Sequence, residues 1–168
     1  MQRKPMPPSA TLDTNLLQEY WKNRTKRATV EQLIERAGKG ELALAVTARI
    51  REDIPNEPLA SKIETLNQIG VEEIASVIRP DYWLLGRDTL VNDDLFVTIS
   101  ESLDKARHAA GQSAPDWRDW DHVHAHHHAG RDVFLTWDGD ILSVGPELHR
   151  QLGIVVMTPE NFLATLTP

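Results

Sequence analysis

Two hydrophobic periods alternate along this chain: short apolar runs that read as buried strands, and longer stretches with apolar residues three and four apart, as on one face of a helix. Ser9-Ala10-Thr11-Leu12-Asp13 predicts a strand that passes at Asp13-Thr14-Asn15 straight into a helix, Asn15 to Trp21, with Leu16, Leu17, Tyr20 and Trp21 on one side. "TVEQLIERAGKG", from Thr29, carries Leu33, Ile34 and Ala37 on one face and ends in glycine, which marks a second helix. "LALAV" predicts the next strand, after which Thr47 is placed to cap a helix through Ile50 and Ile54 that Pro55 stops. "PLASKIETLNQIG" repeats the helix-then-glycine pattern, and "IASVI", residues 74–78, predicts a third strand before Pro80. A loop anchored by Trp83, Leu84 and Leu85 then leads to a helix from about Asp93 to His108. Beyond the linker "AAGQSAP" come a histidine-rich helix, the strand "DVFLT", a turn at Trp137 to Asp140, a helix through Leu148, the strand "IVVMT" and a last helix from Pro159.

Strands alternating with helices at this spacing predict an α/β fold, a three-layer α/β/α sandwich around a parallel sheet of about five strands. Its 168 residues suit one domain, expected over 9–168 after a short disordered leader, 1–8. With 40% hydrophobic and 26% charged residues, neither a disordered nor a fibrous chain is suggested. Cysteine is absent, which excludes a disulfide scaffold, a thiolate zinc site and a cysteine nucleophile, and fits a cytoplasmic setting. No apolar run is long enough to span a membrane, and "MQRKPMPPS" lacks the apolar middle of a signal peptide.

Charge changes the picture more than composition does. Residues 1–51 hold ten Lys/Arg and five Asp/Glu, the remainder eight and twenty, so +5 is followed by −12 and the total is −7. A chain this acidic is a poor passive binder of nucleic acid, because phosphate contacts need clustered cations. Its carboxylates are suited to divalent cations, with Lys22, Arg24, Lys26 and Arg27 facing a polyanion. In parallel sheets ligands gather at the carboxyl ends of strands. There the sequence places Asp13, then Glu52 and Asp53 on the helix after the second strand, then Asp138 and Asp140. Crowded carboxylates raise one another's pKa, a cost that a cation removes.

"DHVHAHHHAG" offers a competing chemistry. It is similar to the H-x-H-x-D-H-x-G core of the metallo-β-lactamase superfamily, with His122, His124, His126 and His127 on the matching positions and His126 where that family keeps an aspartate. That resemblance implies a zinc hydrolase on a β-sandwich, with further ligands downstream, where His149 is the sole histidine. Taken as a helix, the segment puts Asp119, His122, Val123 and His126 on one face and Asp121, His124, Ala125 and His128 on another. His124 and His128, four apart, would then face solvent and could grip zinc or nickel, while His122 packs beneath the site.

The skeleton as a whole resembles the PIN domain, a Rossmannoid metal-dependent nuclease fold that includes VapC-type toxins. "TLDTNLL" is similar to that family's first-strand motif, and implies Asp13 as the first acid with Asn15 supporting it. Asp119, His122 and "DVFLTWD" fit its later pattern, which ends in Thr-x-Asp at Thr136 and Asp138, and "LGIVVMTPENFLATL" resembles its closing strand, proline and helix. The family's second acid falls on Asp53, six residues past Thr47, with Glu52 as its rival; Asp121 similarly rivals Asp119. Asp53 shares the inward face of Ile50, whereas Glu52 turns away. The resemblance implies Mg²⁺ or Mn²⁺ held by Asp13, Asp138, Asp119 and Asp53, with Asn15 and Thr136 orienting them. It also implies a single-stranded RNA substrate, a possible antitoxin or inhibitor protein, and a possible homodimer. RNA would run along Arg24, Lys26 and Arg27 and stack on Trp83 or Trp137. The alternative within the same fold is an inactive module that binds RNA or protein.

Overall fold

The computed structural model describes residues 6–54, 59–68, 70–75, 94–109, 111 and 117–166, except for a few side chains, that of Glu52 among them. The elements run β1 (Ser9–Leu12), α1 (Thr14–Trp21), α2 (Arg27–Gly38), β2 (Ala43–Thr47), α3 (Ile50–Asp53), α4 (Leu59–Gln68), β3 (Val71–Ile74), α5 (Asp94–Ala109), α6 (Trp117–His128), β4 (Val133–Leu135), α7 (Gly139–Leu152), β5 (Val155–Met157) and α8 (Pro159–Thr165). The five strands form one parallel sheet in the order β3-β2-β1-β4-β5, the expected α/β architecture.

Period-two alternation along the strands divides the core between the two faces of the sheet. Ala10, Leu12, Leu44, Val46, Val133 and Leu135 point one way, into a cluster with Leu16 and Leu17 of α1, Val30 and Leu33 of α2, and Phe162 of α8. Phe134 points the other way, into a cluster with Ile99 and Leu103 of α5, Trp120 and Val123 of α6, and Ile141, Val144 and Leu148 of α7. Sheet and helices therefore bury apolar side chains on both faces, which is what holds three layers together. Among the described residues no helix is long and apolar enough to cross a membrane.

Two local expectations fail. The third described strand is Val71–Ile74, which starts three residues before the expected one and only meets it at Ile74; residues 76–78 lie outside the described residues. Gly70, at φ 82°, turns the chain out of α4 one strand-length early, and Leu44 to Thr47 of β2 pair with Val71 to Ile74. Glu72 and Glu73 disguise this strand, but it lies at an edge of the sheet, where charge is tolerated, and they pair with Arg131 and Arg51. Thr47 does not cap a helix: α3 enters from Arg49, and the Thr47 hydroxyl bonds to His122 instead. Trp83 and the expected loop anchors lie outside the described residues.

Candidate functional site

Strand order reverses direction at β1. From there β2 and β3 extend to one side and β4 and β5 to the other, so the carboxyl ends of β1 and β4 flank the switch point where open α/β sheets form a crevice. Asp13 follows β1, and Thr136-Trp137-Asp138 follows β4. The ladder continues one step past both strands, the Asp13 N–H donating to the Leu135 carbonyl at 3.0 Å.

Asp13 occupies the N-cap position of α1 yet makes no side-chain cap. Its Oδ2 accepts from the Thr136 hydroxyl at 2.6 Å and from Asn15 Nδ2 at 2.8 Å. Asn15 Nδ2 also donates to Thr136 Oγ1 at 3.1 Å, and the Asp138 N–H does so at 2.8 Å. A threonine hydroxyl has one proton and two lone pairs, so all its capacity is used and its rotor is fixed. Asp13 is thereby aimed from two distant segments at once. Burial pushes its carboxyl above the ordinary value; the charge of His122 and the Thr136 bond oppose that, and the Asp138 charge adds to it.

Asp53, the last residue of α3, faces Asp13 across the cleft mouth. Its Oδ2 accepts from Thr14 Oγ1 at 2.8 Å and lies 2.7 Å from His122 Nε2. Oδ1 is buried and accepts no hydrogen bond; the Arg49 Nε stands 3.5 Å away and that of Arg118 4.0 Å. Burial would raise its pKa, but the bond and charge of His122, with Thr14 and Arg49, outweigh that and hold the carboxyl below its usual range. His122 shows the converse. Burial disfavours its charge, while Asp53, Asp13 and Asp121 together pull its pKa up.

Asp138 caps α7, its Oδ1 accepting from the backbone N–H groups of Asp140 and Ile141 at 2.8 and 3.2 Å. Asp119 lies in the first turn of α6. Asp13, Asp53, Asp119 and Asp138 line one cleft of about 190 Å³, together with Thr14, Asn15, Gln18, Arg118 and His122. Every acid expected at the site is thus brought to the same opening, with Asn15 and Thr136 behind Asp13. Asp121 is fully buried and Asp140 opens instead on a wider groove of about 800 Å³ between α5 and α7.

Sequence reasoning missed Thr14, Gln18, Arg49 and Arg118. Thr14 and Gln18 are four apart on α1, a helical spacing that could have flagged both. The histidines do not form the zinc site that their spacing suggested. The all-parallel sheet is not a β-sandwich, His126 bonds to Thr11 Oγ1 at 2.9 Å, and His122 serves Asp53. His124 is buried and stacks on the exposed His128 with ring centroids 6.0 Å apart, so only one of the two faces solvent. α6 is covered by the sheet on one side and by α5 on another, which buries His122, His124 and His126 and leaves His128 exposed at the end of the helix.

Does the cleft suit a divalent cation? Its donors are hard carboxylate oxygens, one of them a buried oxygen without a hydrogen bond, and the burial cost of the Asp13 charge would be relieved by a cation. Among the described residues no group of three or more His, Cys, Asp or Glu side chains forms a ready-made ligand set. Mg²⁺ needs none, since it keeps several waters and takes one or two carboxylates alongside substrate phosphate. Comparison of the chain with protein-family models and with curated proteins finds no match.

Proposed function

We propose that this chain is a Mg²⁺- or Mn²⁺-dependent endoribonuclease of PIN type that hydrolyses phosphodiester bonds in single-stranded RNA. The observation that carries the reading is the meeting of Asp13, Asp53, Asp119 and Asp138, from four separate segments, in one cleft at the switch point of a parallel sheet. Asp13 and the oxygen of Asp138 not used in its cap would be the principal metal ligands. Asp119 and Oδ1 of Asp53 would complete the set, directly or through water. A bound cation would polarise the phosphodiester, acidify the attacking water and stabilise the leaving oxygen. Thr136 and Asn15 hold Asp13 in the orientation this requires, and His122 keeps Asp53 ionised and turned inward.

The test is cleavage of an internally labelled single-stranded RNA by purified protein with Mg²⁺ or Mn²⁺. Activity should disappear with EDTA and in Asp13→Asn, while circular dichroism shows the variant folded. Cleavage that persists through both treatments contradicts the proposal. A second reading, a PIN-like module that binds RNA without cutting it, is favoured by the engagement of Asp53 with His122 and of Asp138 with its helix cap. Metal-independent RNA binding with no cleavage would select it.

A further inference from the structure

An RNA strand brought to a cleft of four carboxylates on a chain of net charge −7 must find positive charge beside the acids. The basic segment between α1 and α2 supplies candidates, and the structure sorts them. Arg24 lies 3.6 Å from Glu19, and Arg27 is bonded to Glu31 at 2.6 Å and to Asn23 at 3.1 Å. Lys26 has no carboxylate partner among the described residues; its exposed ammonium rests 4.5 Å from the centre of the Trp137 ring.

Trp137 stands between Thr136, which holds Asp13, and Asp138, which lines the cleft. Its backbone N–H points at Asn15 Oδ1, 3.5 Å away, and its indole N–H donates to the Glu160 carboxylate at 2.9 and 3.1 Å. Part of the ring packs on the core. The indole is therefore fixed in place, and an exposed ammonium lies over its face. Such a contact is weak at an exposed site and exchanges readily for a phosphate, while an aromatic face accepts any base.

We propose that Lys26 and Trp137 form a nucleotide subsite at the lip of the cleft, Lys26 taking a backbone phosphate and Trp137 stacking on the adjoining base; this rests on the nuclease reading above. It is tested in full-length protein carrying Asp13→Asn, by fluorescence anisotropy with a short oligouridylate and an abasic ribose-phosphate strand of equal length, over a range of salt. Lys26→Gln should weaken both strands about five- to tenfold and reduce the salt slope by about 0.7, the share of one phosphate on a single strand. Trp137→Ala should weaken oligouridylate roughly tenfold and leave the abasic strand unchanged, with Trp137→Phe retaining most of the affinity. Lys39→Gln, at a lysine paired with Glu35, should change neither. Lys26 is exposed, so its variant folds even if Trp137→Ala does not. RNA binding indifferent to Lys26→Gln and to Trp137→Ala overturns the subsite, and if the wild type still cleaves, the nuclease reading stands. No RNA binding and no cleavage overturns both. Binding that depends on both residues without cleavage by the wild type keeps the subsite and removes the nuclease.

Discussion

Replacing Asp13 by asparagine should make the metal-free protein more stable while abolishing the proposed nuclease activity. The two side chains are nearly isosteric, and an asparagine Oδ1 can still accept from Thr136 and Asn15, now without charge assistance. Weakening those two bonds costs about 2 kcal/mol in all. Against that, the fold no longer buries an ionised carboxylate, an effective penalty of several kcal/mol, and repulsion from Asp138 is removed. The raised pKa of Asp13 states the sign of the balance: its charged form is disfavoured in the folded chain. A net gain of about 1–2 kcal/mol corresponds in a domain of this size to a Tm higher by roughly 2–8 °C in EDTA. The gain has a pH signature. With the folded pKa above the ordinary 3.8, both states are protonated below that value and the variant has no advantage. Its advantage grows as pH rises from there through the folded pKa and is full above it. Saturating Mg²⁺ or Mn²⁺ should then reverse the order, since a cation at about a hundred times its Kd adds about 2.7 kcal/mol to the wild type alone. Thermal melts of both proteins, with EDTA and with Mn²⁺ across pH, provide the measurement. A variant less stable than wild type in EDTA at neutral pH, or equal metal stabilisation of both proteins, would refute the reasoning.

Burial and the Arg131 charge push His126 down to about 3, so on acidification the unfolded chain takes up a proton that the folded chain refuses. Stability should fall from about pH 6.5 towards 3 at up to about 1.4 kcal/mol per unit, and His126→Gln should flatten urea-derived stability over that window. His122, with its raised pKa, contributes in the opposite sense, stabilising fully below 6.5 and losing that contribution as pH rises through its folded value. Thr47→Val leaves His122 Nδ1 without its partner and should cost about 1–3 kcal/mol; if His122→Phe added to it is not coupled in a double-mutant cycle, the bond is not the cause. Thr136→Val should reduce metal affinity, read by calorimetry, by about 10- to 100-fold through loss of aim at Asp13, and unchanged affinity would remove Thr136 from its positioning role.

How far the sequence foretold this structure depended on what each residue answers to. Strands β1, β2 and β4 were legible because their apolar runs are buried on both faces, and β5, though at an edge and half-buried, because Val155, Val156 and Met157 keep an unbroken apolar run. Asp53 was preferred over Glu52 from helical phase and from its spacing to Thr47, and it does face the cleft. β3 was misplaced because an edge strand keeps glutamates that a central one could not. Two partners of Asp53 were invisible for another reason: Thr14 and His122 meet it through tertiary approach, which no local period encodes, whereas Arg49, four residues before it, lay within reach of helical spacing. The histidine faces misled similarly, since amphipathic reasoning assumes one wet side and α6 is buried from Trp120 to His126.

The pairing of β1 with β4 also sets an order of events during synthesis. Residues 9 to 74 contain β1, β2 and β3 and can pair as they leave the ribosome, but β1 keeps one margin open until Val133 to Leu135 arrive. Thr136 reaches Asp13 across 123 positions of chain, so the acidic crevice cannot assemble on a nascent polypeptide that has not yet reached Asp138. Translation thus withholds the completed centre until the segment after β4 has emerged.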